Sequence, residues 1–167
     1  MRFLAATQAL EAVARVHIDD REMDRAECRR RRRVISAALP DVELRDWVVK
    51  KLQDAHRKSA DAMLDELLDY IGCYVDLLFP DRRRFRRILR DNRNFYTHRD
   101  GRGSRDVWTG ENLYVLCEGT ICLLKAVVLR TAGWSDEEVV RLMMECRDTE
   151  YWTRRVADHF PQSSSTN

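Results

Sequence analysis

The sequence predicts an all-α protein, an antiparallel bundle of about five helices. Three observations carry this. Apolar residues recur at three- and four-residue spacing, most clearly at Leu64, Leu67, Leu68, Ile71, Val75 and Leu78; that period lines up one side of a helix. Only 6 glycines and 3 prolines punctuate 167 residues, too few for the turns of a sandwich or barrel. A content of 44% apolar and 35% charged residues suits a packed helical domain, not a disordered chain. One sizeable core is within reach of this length, so residues 1–160 are expected to form one helical domain, with a disordered tail at 161–167.

Each element has its own signal. Phe3 to Ile18 places Leu4, Ala5, Leu10, Val13 and Ala14 on one side of a first helix. A mixed-charge segment runs from Asp19 to Leu39, and Pro40-Asp41 breaks it at the start of a helix marked by Val42, Leu44, Trp47, Val48 and Leu52. Ser59 to Phe79 is the cleanest amphipath. Pro80-Asp81 opens a helix that reaches about His98, and the glycine-bearing stretch from Arg99 to Arg105 reads as a loop. Leu113 to Thr131 is apolar on most faces. Glu118, Lys125 and Arg130 interrupt it, so it reads as a buried helix and not a membrane span, capped by Gly133. Ser135-Asp-Glu-Glu138 is a capping-box pattern that opens a final helix.

The net charge of +2 does not mark the whole chain as a nucleic-acid binder, but the kind and placement of the charge say more. Lys50, Lys51, Lys58 and Lys125 are the only lysines; the other basic residues are arginines, whose planar fork suits phosphate. A genome rich in G and C gives the same bias. Five cysteines show no CxxC pair and no zinc-ligand spacing, so reduced core thiols are expected. No signal peptide is visible, which points to the cytoplasm.

The segment most informative for chemistry is Arg90-Asp-Asn-Arg-Asn-Phe-Tyr-Thr-His-Arg-Asp100, at a helix end beside a loop. His98 can take and return protons near neutrality. Arg93 stays charged and can brace a phosphate as its negative charge grows. Asn94 can orient either by hydrogen bonding. Together they suit RNA cleavage by the neighbouring 2′-hydroxyl, and no carboxylate cluster of metal-site character surrounds them. Positions five apart lie about 140° apart around a helix, so one chain presents them on different faces unless the helix ends between them, and a two-fold dimer could bring both copies together in a shared cleft. The plain alternative is structural: His98 capping its helix, and Arg93 paired with Asp91 or Asp100.

Arg93-Asn-Phe-Tyr-Thr-His98 followed by Asp100 resembles the R-N-x-x-T-H-x-D signature of HEPN domains. The chain is most similar to the C-terminal HEPN domain of ApeA-type anti-phage defence proteins. Arg2-Phe-Leu with Gln8-Ala-Leu-Glu11 is similar to the family's opening helix, and Leu123-Leu-Lys through Ala132-Gly-Trp-Ser135 to a later helix end, longer here. The match spans roughly residues 2 to 145. The resemblance implies a helical bundle, a homodimer through the motif helices, and an endoribonuclease needing no metal or cofactor. It makes Arg93 and His98 the catalytic pair with Asn94, and Thr97, Asp100 and Glu11 supporting residues. A tyrosine two residues after the histidine silences some HEPN toxins when modified; Asp100 stands there, so that control does not carry over. ApeA-type proteins also carry an N-terminal sensing region, so the resemblance implies an upstream sensing domain, outside this sequence, as a further partner.

Arg82, Arg83, Arg84, Arg86, Arg87 and Arg90 precede the motif, and Arg99, Arg102 and Arg105 follow it. Of these, Arg83, Arg87, Arg90, Arg99 and Arg102, with Tyr96 as a base-stacking ring, are the expected RNA-binding residues; a solvated helix face is the alternative. Arg29 to Arg33 lie among acids and are expected to form a solvated or salt-bridged face. Trp47, Trp108, Trp134 and Trp152 are expected to be packing residues. The function expected is a dimeric RNA-cleaving effector of anti-phage defence or a related toxin. The alternative is a non-catalytic HEPN module that dimerises and binds RNA or a partner protein.

Overall fold

Starts and stops written in the sequence set the helices. Asp24, Asp41 and Ser59 each turn a side-chain oxygen onto a first-turn N–H, at Ala26, Leu44 and Ala62. Asp81 accepts from the Arg84 N–H at 2.9 Å. Ser135 and Glu138 form the reciprocal capping box that the sequence predicts. A computed structural model of the chain describes residues 2–98 and 107–160. Among the described residues the helices are α1 (Arg2–His17), α2 (Arg25–Ala38), α3 (Val42–Lys51), α4 (Ala60–Ile71), α5 (Cys73–Leu78), α6 (Arg82–His98), α7 (Gly110–Thr131), α8 (Asp136–Glu145) and α9 (Arg147–His159). The only extended pairing among them is one antiparallel bridge, Arg21 with Arg57.

The all-α expectation holds, with more and shorter helices than the periodicity suggests. The amphipath from Ser59 to Phe79 breaks at Gly72, whose φ of 80° lies in the left-handed region. A Cβ there would collide with the Asp136 carboxylate, so the bend lets the α8 N-terminus close on α4 and α5. The last expected helix breaks at Cys146, whose extended backbone (φ −81°, ψ 112°) separates α8 from α9. The expected loop from Arg99 to Arg105 and the expected tail at 161–167 lie outside the described residues.

α7 is the core helix. By length and composition alone it could cross a membrane, but here it buries Val115, Leu116, Leu123, Ala126 and Val127 among α1, α4 and α9. Its one buried charge, Glu118, meets Arg2 of α1 at 2.6 Å. Gly119 allows close approach: a Cβ would lie 2.8 Å from the Phe79 ring and 3.1 Å from Val156. Phe79 stacks on Phe85 with ring centroids 3.6 Å apart and meets Phe160 edge-on at 5.1 Å, which seats the start of α6 on the core.

α2 and α3 depart from this pattern. They pack on each other, yet only Cys28 is buried in α2 and nothing is buried in α3. Trp47 and Trp134 are exposed, contrary to the expectation that all four tryptophans pack, while Trp108 and Trp152 lie against the core. Cys28, Cys117 and Cys122 are buried thiols; Cys73 and Cys146 are exposed.

Candidate functional site

α6 is the platform on which the motif residues stand. Phe85, Ile88, Leu89 and Asn92 face the interior, as their helical spacing requires. The opposite stripe carries Arg83, Arg87, Arg90, Asn94, Thr97 and His98, all exposed. Arg93 stands on the flank between the two. The helix is unbroken from Arg82 to His98. The turn of about 140° between Arg93 and His98 is therefore kept, with a rise of about 7.5 Å at ~1.5 Å per residue. One chain does not bring the two side chains together.

Arg93 is held in a fork. Its Nε lies 3.1 Å from Glu11 Oε1 and its second terminal nitrogen donates to Glu11 Oε2 at 3.3 Å. The remaining terminal nitrogen donates to Asn94 Oδ1 at 3.0 Å. The guanidinium is thus aimed by a residue of α1 that lies 82 positions away, and by its own neighbour. Three predicted site residues, Arg93, Asn94 and Glu11, meet at one point. They line a cleft of about 450 Å³ between α1, the start of α4 and the second half of α6. Leu10, Ala14, Met63, Leu64 and Leu89 give it an apolar floor, and five cationic side chains stand on its walls against three acidic ones. His98 and Thr97 lie outside the cleft, on the exposed stripe.

The other predicted residues divide by partner. Arg90 donates to Asp61 at 2.9 Å and to Asp91 at 3.2 Å, so a phosphate would compete with two carboxylates there. Arg82 meets Asp69 at 2.8 Å and Asp76 at 2.7 Å, and Arg86 pairs with Asp65. Arginines 82, 86 and 90 thereby form a ladder with aspartates 69, 65 and 61 of α4. Residues four apart on two antiparallel helices meet rung by rung. Asp76 and Asp69 hold Arg82 above the usual guanidinium range, and Asp61 and Asp91 do the same for Arg90. Arg84 lies over the Phe160 ring at 5.8 Å. Arg83 and Arg87 stay on the exposed stripe. Tyr96 is half-buried, edge-on to Phe3, and its hydroxyl donates to the Trp108 carbonyl at 2.8 Å. Arg99, Asp100 and Arg102 lie outside the described residues.

Sequence reasoning missed Asn92. It is fully buried, its amide nitrogen donates to the Ile88 carbonyl at 2.8 Å, and its oxygen accepts the Trp108 N–H at 2.7 Å. With Tyr96 it clamps the backbone at Trp108, where the chain returns from the segment after His98. The signal was present: an asparagine at the core-facing position of the series Phe85, Ile88, Leu89, Asn92 and Tyr96. Among the described residues no group of three or more His, Cys, Asp or Glu side chains is placed to hold a metal ion.

The family model described as Apea-like HEPN matches residues 4–138. That span takes in Glu11, the whole of α6 and the capping box of α8. No curated protein and no solved structure matches the chain.

Proposed function

Because the chain belongs to the Apea-like HEPN family, we propose that it is an endoribonuclease whose site is completed by two copies of α6. In this reading the His98 imidazole takes the proton of an RNA 2′-hydroxyl. The freed 2′-oxygen bonds to phosphorus, the bond to the 5′-oxygen breaks, and a protonated imidazole, the other copy's, supplies the proton that the 5′-oxygen needs. Arg93 stabilises the extra negative charge on the phosphoryl oxygens. Asn94 holds the guanidinium, Thr97 supports the helix end, and Asp100 and Glu11 are the acidic supports. Arg83, Arg87, Arg99 and Arg102 hold the strand on either side. The cellular setting that fits is anti-phage defence in the cytoplasm, with the chain acting as a homodimeric effector or toxin.

The observation that carries this reading is the Arg93 fork. An arginine fixed by Glu11 and Asn94 at the mouth of a cleft is a preorganised cation, and catalysis by electrostatics rests on preorganisation. The same fork also favours a second reading. A guanidinium satisfied by Glu11 simply ties α1 to α6, and the domain would then dimerise and bind RNA or protein without cutting. Purified protein with end-labelled RNA in EDTA separates the two. The nuclease reading expects cleavage that survives chelation, leaves 2′,3′-cyclic phosphate ends, spares DNA, and disappears in Arg93→Ala and His98→Ala. Cleavage lost in EDTA and restored by magnesium contradicts it, and RNA bound but never cut supports the second reading.

A further inference from the structure

We propose that the α2–α3 hairpin is an arm that grips single-stranded RNA and leads it to the cleft at Arg93. The inference rests on the nuclease reading for its ligand, while the arm itself rests on other observations. Residues 25–51 hold nine basic side chains against four acidic ones, whereas the rest of the chain holds 21 against 24. The positive charge is therefore concentrated on this hairpin, which is also the part that buries least, with Cys28 its single buried residue.

The arginines divide as on α6, with the opposite balance. Arg30 and Arg31 both close on Glu27, at 2.7 Å each. Arg29, Arg32 and Arg33 form no ion pair among the described residues. Spaced i, i+3 and i+4, these three lie along one side of α2. The hairpin is also held in place. Its neck is pinned by the Glu22 N–H on the His56 carbonyl at 2.8 Å and the Lys58 N–H on the Asp20 carbonyl at 2.7 Å. Asp20, Arg57 and Lys58 of that neck line the same cleft as Arg93. The arm therefore joins the rest of the chain beside the candidate site, with Arg57 paired to Asp20 and Lys58 to Glu66 at the junction.

Other occupants fit less well. A second copy of the hairpin would bring like charge against like charge. A lipid surface needs apolar residues gathered on one face, but Val34 and Ile35 point about 100° apart on α2, and Val42 and Leu44 about 200° apart on α3, at ~100° per residue. Trp47, 58% exposed beside Lys51, offers a ring for an unpaired base.

The test is the triple variant Arg29→Gln, Arg32→Gln, Arg33→Gln, beside a charge-matched triple on α8 and α9, Arg141→Gln, Arg147→Gln, Arg154→Gln. RNA binding is read by anisotropy of a labelled single strand in the His98→Ala background, and cleavage in the native background. Losing three phosphate contacts flattens the plot of log affinity against log salt by about 2 and weakens binding at least about tenfold at low salt. The α8–α9 triple keeps the native slope, and circular dichroism is unchanged in both. An unchanged slope in the arm triple overturns the proposal even where the protein cuts RNA. A native protein that never cuts, with the slope lost in the arm triple, sinks the nuclease reading and keeps the arm. Native RNA binding with loss of sedimentation on phosphatidylserine vesicles would assign the arm to lipid and overturn it as well.

Discussion

Two helices of this protein are rich in arginine, and they use it differently. On α6 the arginines at 82, 86 and 90 stand four apart and meet the aspartates of α4 at the same spacing. On α2 five arginines are consecutive, so no single neighbour can satisfy them, and Glu27 takes only two. The same residue type is a structural rung in one helix and an unmatched charge in the other. Spacing decides which: period four builds a face that a partner helix can answer, and a run with no period projects around the whole helix. Counting arginines, as a sequence reader does, ranks the α6 run above the α2 run as an RNA contact. Pairing reverses much of that order, leaving Arg83 and the far side of α2 in the stronger position.

The sharpest way to break the contrast is to unseat α6. Asn92→Ala removes the acceptor for the Trp108 N–H and the donor to Ile88 in a fully buried site. Leaving such groups unsatisfied should destabilise the fold by about 2–3 kcal/mol, read by chemical denaturation. Cleavage should fall with it at temperatures where the fold persists, because Trp108 is the far anchor of the segment that leaves His98. Asp65→Ala removes the middle rung and leaves Arg86 without its carboxylate; the loss should be roughly 0.5–1 kcal/mol, near the upper end for partly exposed pairs. On the arm, the Arg29, Arg32 and Arg33 triple should change stability by no more than about 0.5 kcal/mol, since Arg29 and Arg33 are exposed, Arg32 is only half-buried, and the three make no ion pair among the described residues. A large destabilisation there would show that the hairpin is seated like α6.

The smallest effect concerns Glu27. Hydrogen bonds from Arg30 and Arg31 hold its carboxyl down to about 2 from 4.5. A depressed acid stabilises above its ordinary value and loses that contribution as pH falls through the depressed one. Its share of α2 helicity should therefore persist through pH 4 and fade near pH 2, with Arg30→Gln and Arg31→Gln together returning the titration towards the ordinary range. Carbon-detected NMR of the Glu27 carboxyl reads both. A midpoint near 4.5 in the native chain would mean that the fork on α2 does not form.

Much of the fold was legible because its signals are local. The proline and aspartate at 80–81, the capping box at Ser135 and the apolar run of α7 each announced an element within a few residues of where it lies. The misses have distant causes. Gly72 breaks an otherwise faultless amphipath because Asp136 closes against it from α8. The α4–α6 ladder needs two helices to be known as antiparallel neighbours, although both four-residue series were in plain sight. At the candidate site, the motif named Arg93 and Asn94 and the likeness of the opening helix named Glu11, and the three do meet. Asn92 carries no motif signal, since its work is done for a backbone 16 residues further on.

The central claim is that one chain is not enough. Arg93 turns into the cleft and His98 onto the exposed stripe of one unbroken helix, so the proposed nuclease takes its working pair from two copies. The direct measurement is RNA cleavage per chain across a dilution series, with oligomeric state followed in the same samples by analytical ultracentrifugation. Activity per chain should rise and fall with the dimer fraction and vanish in the monomer. Full activity in samples that are wholly monomeric would contradict the composite site.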